Sequence, residues 1–236
     1  MVQRVEKMTR AGKHKICESI DKEGEQLENY TKYKLKEHDE LVSVLADKDN
    51  LFIIACNKCF KEFETIDEPD CGEFEKIVAE QGKNVVGTAK VDFLCNKVQT
   101  EKKLQDMIPD GAENIFVISC GLGIQTVADL AGKPVFAASN SLNYTGHHGM
   151  ALTKKSCDAC AQCYLNITGG ICPIVDCSKS LVNGQCGGAK NGKCEVDGEK
   201  DCAWEKIYRR LEKQGRLQEF LDQPVQVRDY SKVNFK

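Results

Sequence analysis

Eight cysteines crowd into residues 157–202, and no other feature limits the folding of this chain so sharply. The stretch carries few large apolar side chains, so burial of hydrocarbon alone cannot order it. Something bound to the sulfurs must supply the missing free energy, as metals do in small metal-dependent domains. The whole chain of 236 residues has fourteen cysteines. Its start, MVQRVEKMTRAGKHK, has no apolar stretch of the kind that directs secretion. The setting this implies is cytoplasmic and reducing, where a dense cysteine pattern signals metal or catalysis instead of disulfides. Cys17 and Cys71 stand alone in charged segments and read as small buried residues.

Spacing sharpens the expectation. Cys157, Cys160 and Cys163 form C-x2-C-x2-C, and Cys172-Pro173 follows after eight residues. Three thiolates at such intervals can wrap a cubane corner by corner, as bacterial ferredoxins do with a shorter gap before Cys-Pro. Cys177, Cys186, Cys194 and Cys202 complete a set of eight. That number suits two [4Fe–4S] clusters, and equally one cluster plus one tetrahedral zinc. Tight succession of the first three favours iron, whereas a pair of zinc ribbons prefers isolated C-x2-C pairs. By the ferredoxin analogy, Cys172 shares a site with the later cysteines, which supply a fourth ligand to the first three.

The rest of the chain organises around this segment. Residues 1–48 are charge-rich with apolar residues at helical steps (Ile16, Ile20, Leu27, Leu35, Leu41, Leu45), a helical arm with a break near Asn29–Thr31. From 49 to 150, strand-length runs at LFIIA (51–55), NVVGTA (84–89), IFVIS (115–119) and PVFAAS (134–139) alternate with helices over 71–82, 98–108 and 124–131. This alternation predicts an α/β fold, a small doubly wound parallel sheet. An irregular Cys-rich metal-binding region then fills 151–215, including a helix with Trp204, Ile207, Tyr208 and Leu211 on one face, and a polar tail fills 216–236.

In the sheet domain Cys56 and Cys59 follow the first strand, Cys95 the second and Cys120 the third. Ligands collect at the carboxyl ends of such strands, so these four form a candidate site for a further cluster or a zinc. Gly121 and Gly123 make only G-x-G, too little for a dinucleotide fingerprint, and read as freedom for the backbone to turn beside Cys120. His147 and His148 read as a solvated or hydrogen-bonded pair. A net charge of −3 and a pI near 5.9 give no reason to expect nucleic acid or an anionic membrane as partner. No apolar run approaches the ~18 residues of a membrane span.

TGGICP (168–173), CSKSLVNGQCGG (177–188), GKCE (192–195) and CAWEKIYRRL (202–211) resemble the C-terminal domain of the small subunit in two-subunit methylenetetrahydrofolate reductases of acetogens and related anaerobes. The usual form reads NGPCGG, where this chain has Gln185. The sheet domain is similar to that subunit as well, including the C-x2-C after its first strand and the Cys-Gly-x-Gly turn at Cys120. The resemblance implies an iron–sulfur electron-transfer subunit, with Cys56, Cys59, Cys95, Cys120 and the eight later cysteines as metal ligands. Its implied partners are a flavin-bearing catalytic subunit and ferredoxin or another electron carrier. A zinc subunit that only docks or stabilises is the competing expectation. A corrinoid accessory role ranks last, for want of any Asp-x-His-x-x-Gly.

Overall fold

The computed structural model describes residues 31–57, 71–144 and 157–233. Four parallel strands form the sheet: β2 (Leu51–Cys56), β3 (Val85–Val91), β4 (Asn114–Ile118) and β5 (Val135–Ala137), in the order β3-β2-β4-β5. Their side chains divide by alternation, which sends successive residues to opposite faces. Phe52, Ile54, Ile115, Val117 and Val135 meet Leu104 and Met107 of α3 (Lys97–Met107) and Ile124 and Val127 of α4 (Gly121–Leu130). Leu51, Ile53, Ala55, Phe116 and Phe136 meet Leu41 and Leu45 of α1 (His38–Leu45) and Phe74, Ile77 and Val78 of α2 (Cys71–Glu80). Helices on both faces of a parallel sheet explain why β2 and β4 are almost wholly apolar.

Strand order positions the site. From β2 the chain steps to β3 on one side, then crosses back to β4 on the other, so the reversal falls between β2 and β4. The crevice at the carboxyl ends of these two strands is where open α/β sheets collect ligands. Cys56 ends β2, and Cys120 caps the start of α4 just past β4.

Three expectations need correction. Part of the expected helical arm is a strand: β1 (Thr31–Leu35) pairs antiparallel with β6 (Ser139–Tyr144) in a separate two-stranded sheet. Tyr33 and Leu35 alternate with Lys32 and Lys34, a period of two that the helical spacing of Leu35 and Leu41 disguised. The expected strand over 134–139 stops at Ala137, and the chain passes at once into β6. The tail is not featureless, because α7 (Leu217–Leu221) and a short 3₁₀ turn at Tyr230–Lys232 follow the helix α6 (Ala203–Lys213). Residues 1–30 of the arm, Cys59, and His147 and His148 lie outside the described residues.

The Cys-rich region leans on the sheet domain through polar ties rather than a shared apolar layer alone. Asn166 pairs its side-chain amide with both backbone groups of Ala137, at 2.6 and 3.1 Å. The Arg210 guanidinium on α6 donates to the carbonyls of Ala128 and Gly169 and pairs with Asp129, gripping the carbonyl end of α4. A cation suits that end, where the helix dipole is negative. The stripe on α6 is covered by its own chain: Trp204, Ile207 and Leu211 are buried with Ile171 and Cys202, and Tyr208 and Phe220 close over Trp204.

Candidate metal centres

Cys157, Cys160 and Cys163 lie on an irregular segment that β6 and its neighbours hold in place. The Ala161 N–H donates to the Ser141 carbonyl at 3.0 Å, and the Cys163 N–H donates to Asn140 Oδ1 at 2.9 Å. Ala159 and Ala161 take left-handed backbone conformations, φ 47° and 55°, which fold the segment tightly between successive cysteines. Cys172 caps the one-turn helix α5 (Pro173–Asp176), and its N–H donates to Gln125 Oε1 on α4 at 3.3 Å.

Gly121 explains how this segment reaches the sheet. A Cβ added there would stand 2.7 Å from Cys157 Sγ. The glycine is helical and its φ is not positive, so the demand is for space and not for an unusual turn. The expectation of backbone freedom at this position is therefore replaced by one of close approach. The Gly121 N–H donates to Ser141 Oγ at 2.7 Å, locking α4 against β6 beside the same sulfur.

The thiols of Cys157, Cys160, Cys163 and Cys172 feel one another. Burial pushes the Cys163 thiol up to about 12, and charge on Cys157 and Cys160 pushes the same way. Burial likewise raises Cys172, with Cys157 and Cys163 adding to it. Burial raises Cys160 too, and charge on Cys157 adds. Uncompensated thiolates are costly in such a pocket, and a bound cation would remove the cost. Lys36 already supplies one positive charge: its buried ammonium donates to the Cys163 carbonyl at 3.2 Å and holds the Cys163 thiol down.

Cys177, Cys186, Cys194 and Cys202 make a second neighbourhood. They line one small cavity of about 20 Å³, closed by Trp204, Ala189 and Ala203. Short bridges from Lys193 to Lys190 and to Asp201 form a miniature ribbon beneath it. The Cys194 N–H donates to the Lys200 carbonyl at 2.8 Å, and the Cys202 N–H donates to the Gly192 carbonyl at 2.8 Å. A hydrogen bond with Ser178 lowers the Cys194 thiol. Lys179 pairs with Glu195 at the rim, and the charges of Cys186 and Cys177 also raise its ammonium. Gln185, at the position where the resemblance expects proline, turns its amide toward Cys202 Sγ and Glu205 and donates its backbone N–H to Tyr208 Oη at 3.2 Å.

Cys172 answers to charge on Cys157 and Cys163, and the last four cysteines share a cavity of their own. One turn of helix, α5, separates Cys172 at its start from Cys177 at its end. In the sheet domain, Cys56, Cys95 and Cys120 all stand at the carboxyl edge, where Cys56 pairs with Val91 and Ala55 with Ile118. Cys95 lies in the turn before α3, beyond the end of β3. Cys71 is buried as expected but is disulfide-bonded, unlike the reduced state expected of it.

Among the described residues, no three His, Cys, Asp or Glu side chains are drawn together tightly enough to grip a single metal ion. The donor chemistry nonetheless fits a metal. All eight later cysteines carry free thiols, soft donors of the kind that iron–sulfur clusters and zinc take. Lys36, Asn140, Ser141, Gln125 and Lys179 were not anticipated as supports. Only their contacts in the fold reveal them, since none is itself a sulfur donor.

Residues 136–231 match the family model described as methylene-tetrahydrofolate reductase C terminal. The matched stretch contains all eight later cysteines, whereas Cys56, Cys95 and Cys120 precede it. No curated protein and no solved structure matches the chain. No helix among the described residues is long and apolar enough to cross a membrane.

Proposed function

We propose that the chain is a metal–sulfur subunit of a methylenetetrahydrofolate reductase, relaying electrons from ferredoxin or another carrier to the flavin of a catalytic partner. The observation that carries this reading is that eight free thiols fall inside the stretch that matches the reductase family, the last four of them lining one small cavity. Iron–sulfur clusters, when bound, would supply one-electron storage at each set. The chain's own residues do the rest. Cys157, Cys160, Cys163 and Cys172 would hold one centre, and Cys177, Cys186, Cys194 and Cys202 the other.

Lys36 lies where it offsets negative charge at the first centre, and backbone N–H groups tied by Asn140 and Gln125 fix Cys163 and Cys172 before any metal arrives. Pre-ordering of this kind keeps a relay's geometry constant between its charge states. α5 keeps the two centres adjacent, as a relay requires. Cys56, Cys95 and Cys120, with Cys59, remain candidates for a third centre at the switch of the sheet.

A second reading applies to the later set alone. Its cavity is small, and the ribbon under it is of the kind that grips a single tetrahedral ion, so zinc suits this set better than a cubane. Iron, zinc and sulfide analysis of anaerobically purified protein tests both readings. Sulfide equal to iron, with broad absorption near 400 nm that bleaches on reduction, supports the relay. Zinc at both sets without sulfide removes it and leaves a structural subunit. Zinc with iron and sulfide, the zinc lost in Cys194→Ser and the iron lost in Cys160→Ser, assigns one metal to each set.

A further inference from the structure

A large cavity opens on the far side of Cys163 from the sheet switch, with Cys163 itself in its lining. It encloses about 890 Å³ between α1, the β5–β6 strand and the corner joining α6 to α7. That volume is in the range of small-molecule sites, roughly 300–1,000 Å³. Three of the cations in its wall are buried, and each of these is more deeply buried than its carboxylate partner. The Lys36 side chain is 1% exposed against 45% for Glu40, Lys48 is 9% against 65% for Asp47, and Arg216 is 9% against 41% for Glu219. Positive charge thus faces inward and negative charge outward.

These cations meet an aromatic ring. The Arg216 guanidinium lies 4.5 Å and the Lys48 ammonium 5.0 Å from the centre of Phe136. Phe136 is itself stacked on Phe116, so its position is set by the core and not by the cavity. Two of the Arg216 nitrogens are engaged: Nη2 donates to the Asn166 carbonyl at 2.7 Å, and Nε pairs with Glu219 at 2.9 Å. The third, Nη1, is buried and has no hydrogen-bond partner among the described residues. A buried charged donor left unpaired costs about 1–3 kcal/mol or more, and native structures rarely leave one so.

We propose that this cavity binds an organic anion, its phosphate or carboxylate group facing the Arg216 guanidinium and the Lys48 ammonium, both of which line it. Arg216 is suited to the task because its other nitrogens are anchored, which holds the guanidinium plane fixed before the ligand arrives. The cavity is larger than the anion itself and leaves room for a body beside it.

Titration calorimetry on the full chain, as purified with its metal, tests it with two separate probes, inorganic phosphate and succinate. At least one should bind and raise the melting temperature in proportion to the logarithm of its concentration. Binding of phosphate alone or of succinate alone identifies which group the site takes. Arg216→Met should weaken that binding by about tenfold or more, the worth of a charge-assisted hydrogen bond, with Arg216→Lys falling between. Because Arg216 also supports the Asn166 loop, Lys48→Met serves as a second variant, and it should weaken binding several-fold with the melting temperature of the unliganded chain little changed. Failure of both probes to bind up to about 10 mM, weaker than any specific site of this kind, overturns the proposal. Unchanged affinity in Lys48→Met and in either Arg216 variant overturns it as well.

Discussion

The sheet domain and the Cys-rich region are held together by different physics. In the first, β2 and β4 run down the middle of two apolar layers, and Phe116 stacks between Phe74 and Phe136 at ring separations of 5.7 and 5.2 Å. In the second, Leu165, Ile174 and Val182 reach into one of those layers and a smaller cluster gathers around Trp204, while the loops carrying the cysteines add amide and carbonyl ties to β5, β6 and α4. A core of this first kind draws its stability chiefly from apolar burial. A region of the second kind carries a dense array of ligands, and its order follows whatever those ligands hold.

The most severe way to break the comparison is to remove the ring at its centre. Phe116→Ala should cost about 3–5 kcal/mol, as large-to-small changes in a tight core do. Denaturant unfolding should show the whole chain losing stability together, because Leu165, Ile174 and Val182 of the Cys-rich region share a layer with the sheet. If the cysteine region kept its metal and its protease resistance in an unfolded sheet, it would be an independent unit and the dependence described here would be wrong.

Cys160→Ser probes the opposite direction. It should lose the metal of the first set and expose residues 157–176 to protease, with the far-ultraviolet signal and unfolding midpoint of the sheet domain nearly unchanged. Prolonged chelation should reproduce this pattern at both sets. Full metal content with wild-type protection in the variant would take Cys160 out of the site.

Gly121→Ala acts at the seam. The helical backbone there accepts alanine, and exchange to a better helix former would normally stabilise. The added methyl would instead stand 2.7 Å from Cys157 Sγ, so Cys157 must move. The expected result is a loss of about 1–3 kcal/mol, the usual range for overpacking, together with reduced metal at the first set only. A stabilised protein with full metal would show that Cys157 has room to yield.

How much of this was legible in the sequence follows the same division. The four parallel strands could be read directly, because strands buried on both faces are unbroken apolar runs set off by amphipathic helices. β1 was hidden, since five residues with two lysines declare no burial until β6, far along the chain, lies against them. The cysteine positions were plain, and their partition was not. Sequence spacing placed Cys172 after an eight-residue gap, but its neighbours are chosen by Gln125 on α4, which no motif connects to it. Gly121 shows the same limit: Cys-Gly-x-Gly announces a special backbone, and only the approach of Cys157 explains why.

The smallest effect near neutral pH separates the two regions by protonation alone. In the metal-free chain the Cys163 thiol is held up to about 12 by burial, and that of Cys172 is raised as well. An unfolded chain ionises its thiols near the usual value of about 8.5. A folded-state value above the unfolded one means that the folded chain keeps its protons longer. Stability from these thiols is then fully present below about pH 8.5, and is lost as pH rises through about 12. Metal reverses the sign, since bound sulfurs are thiolates in the folded state and must be protonated for the metal to leave. The metal-loaded region should therefore weaken toward acid, and the metal-free region only toward strong alkali. Hydrogen exchange of residues 157–176 against pH, with and without metal, should give slopes of opposite direction, while the amides of β2 and β4 show neither. Parallel slopes in the two preparations would mean that these thiols are not where metal binds.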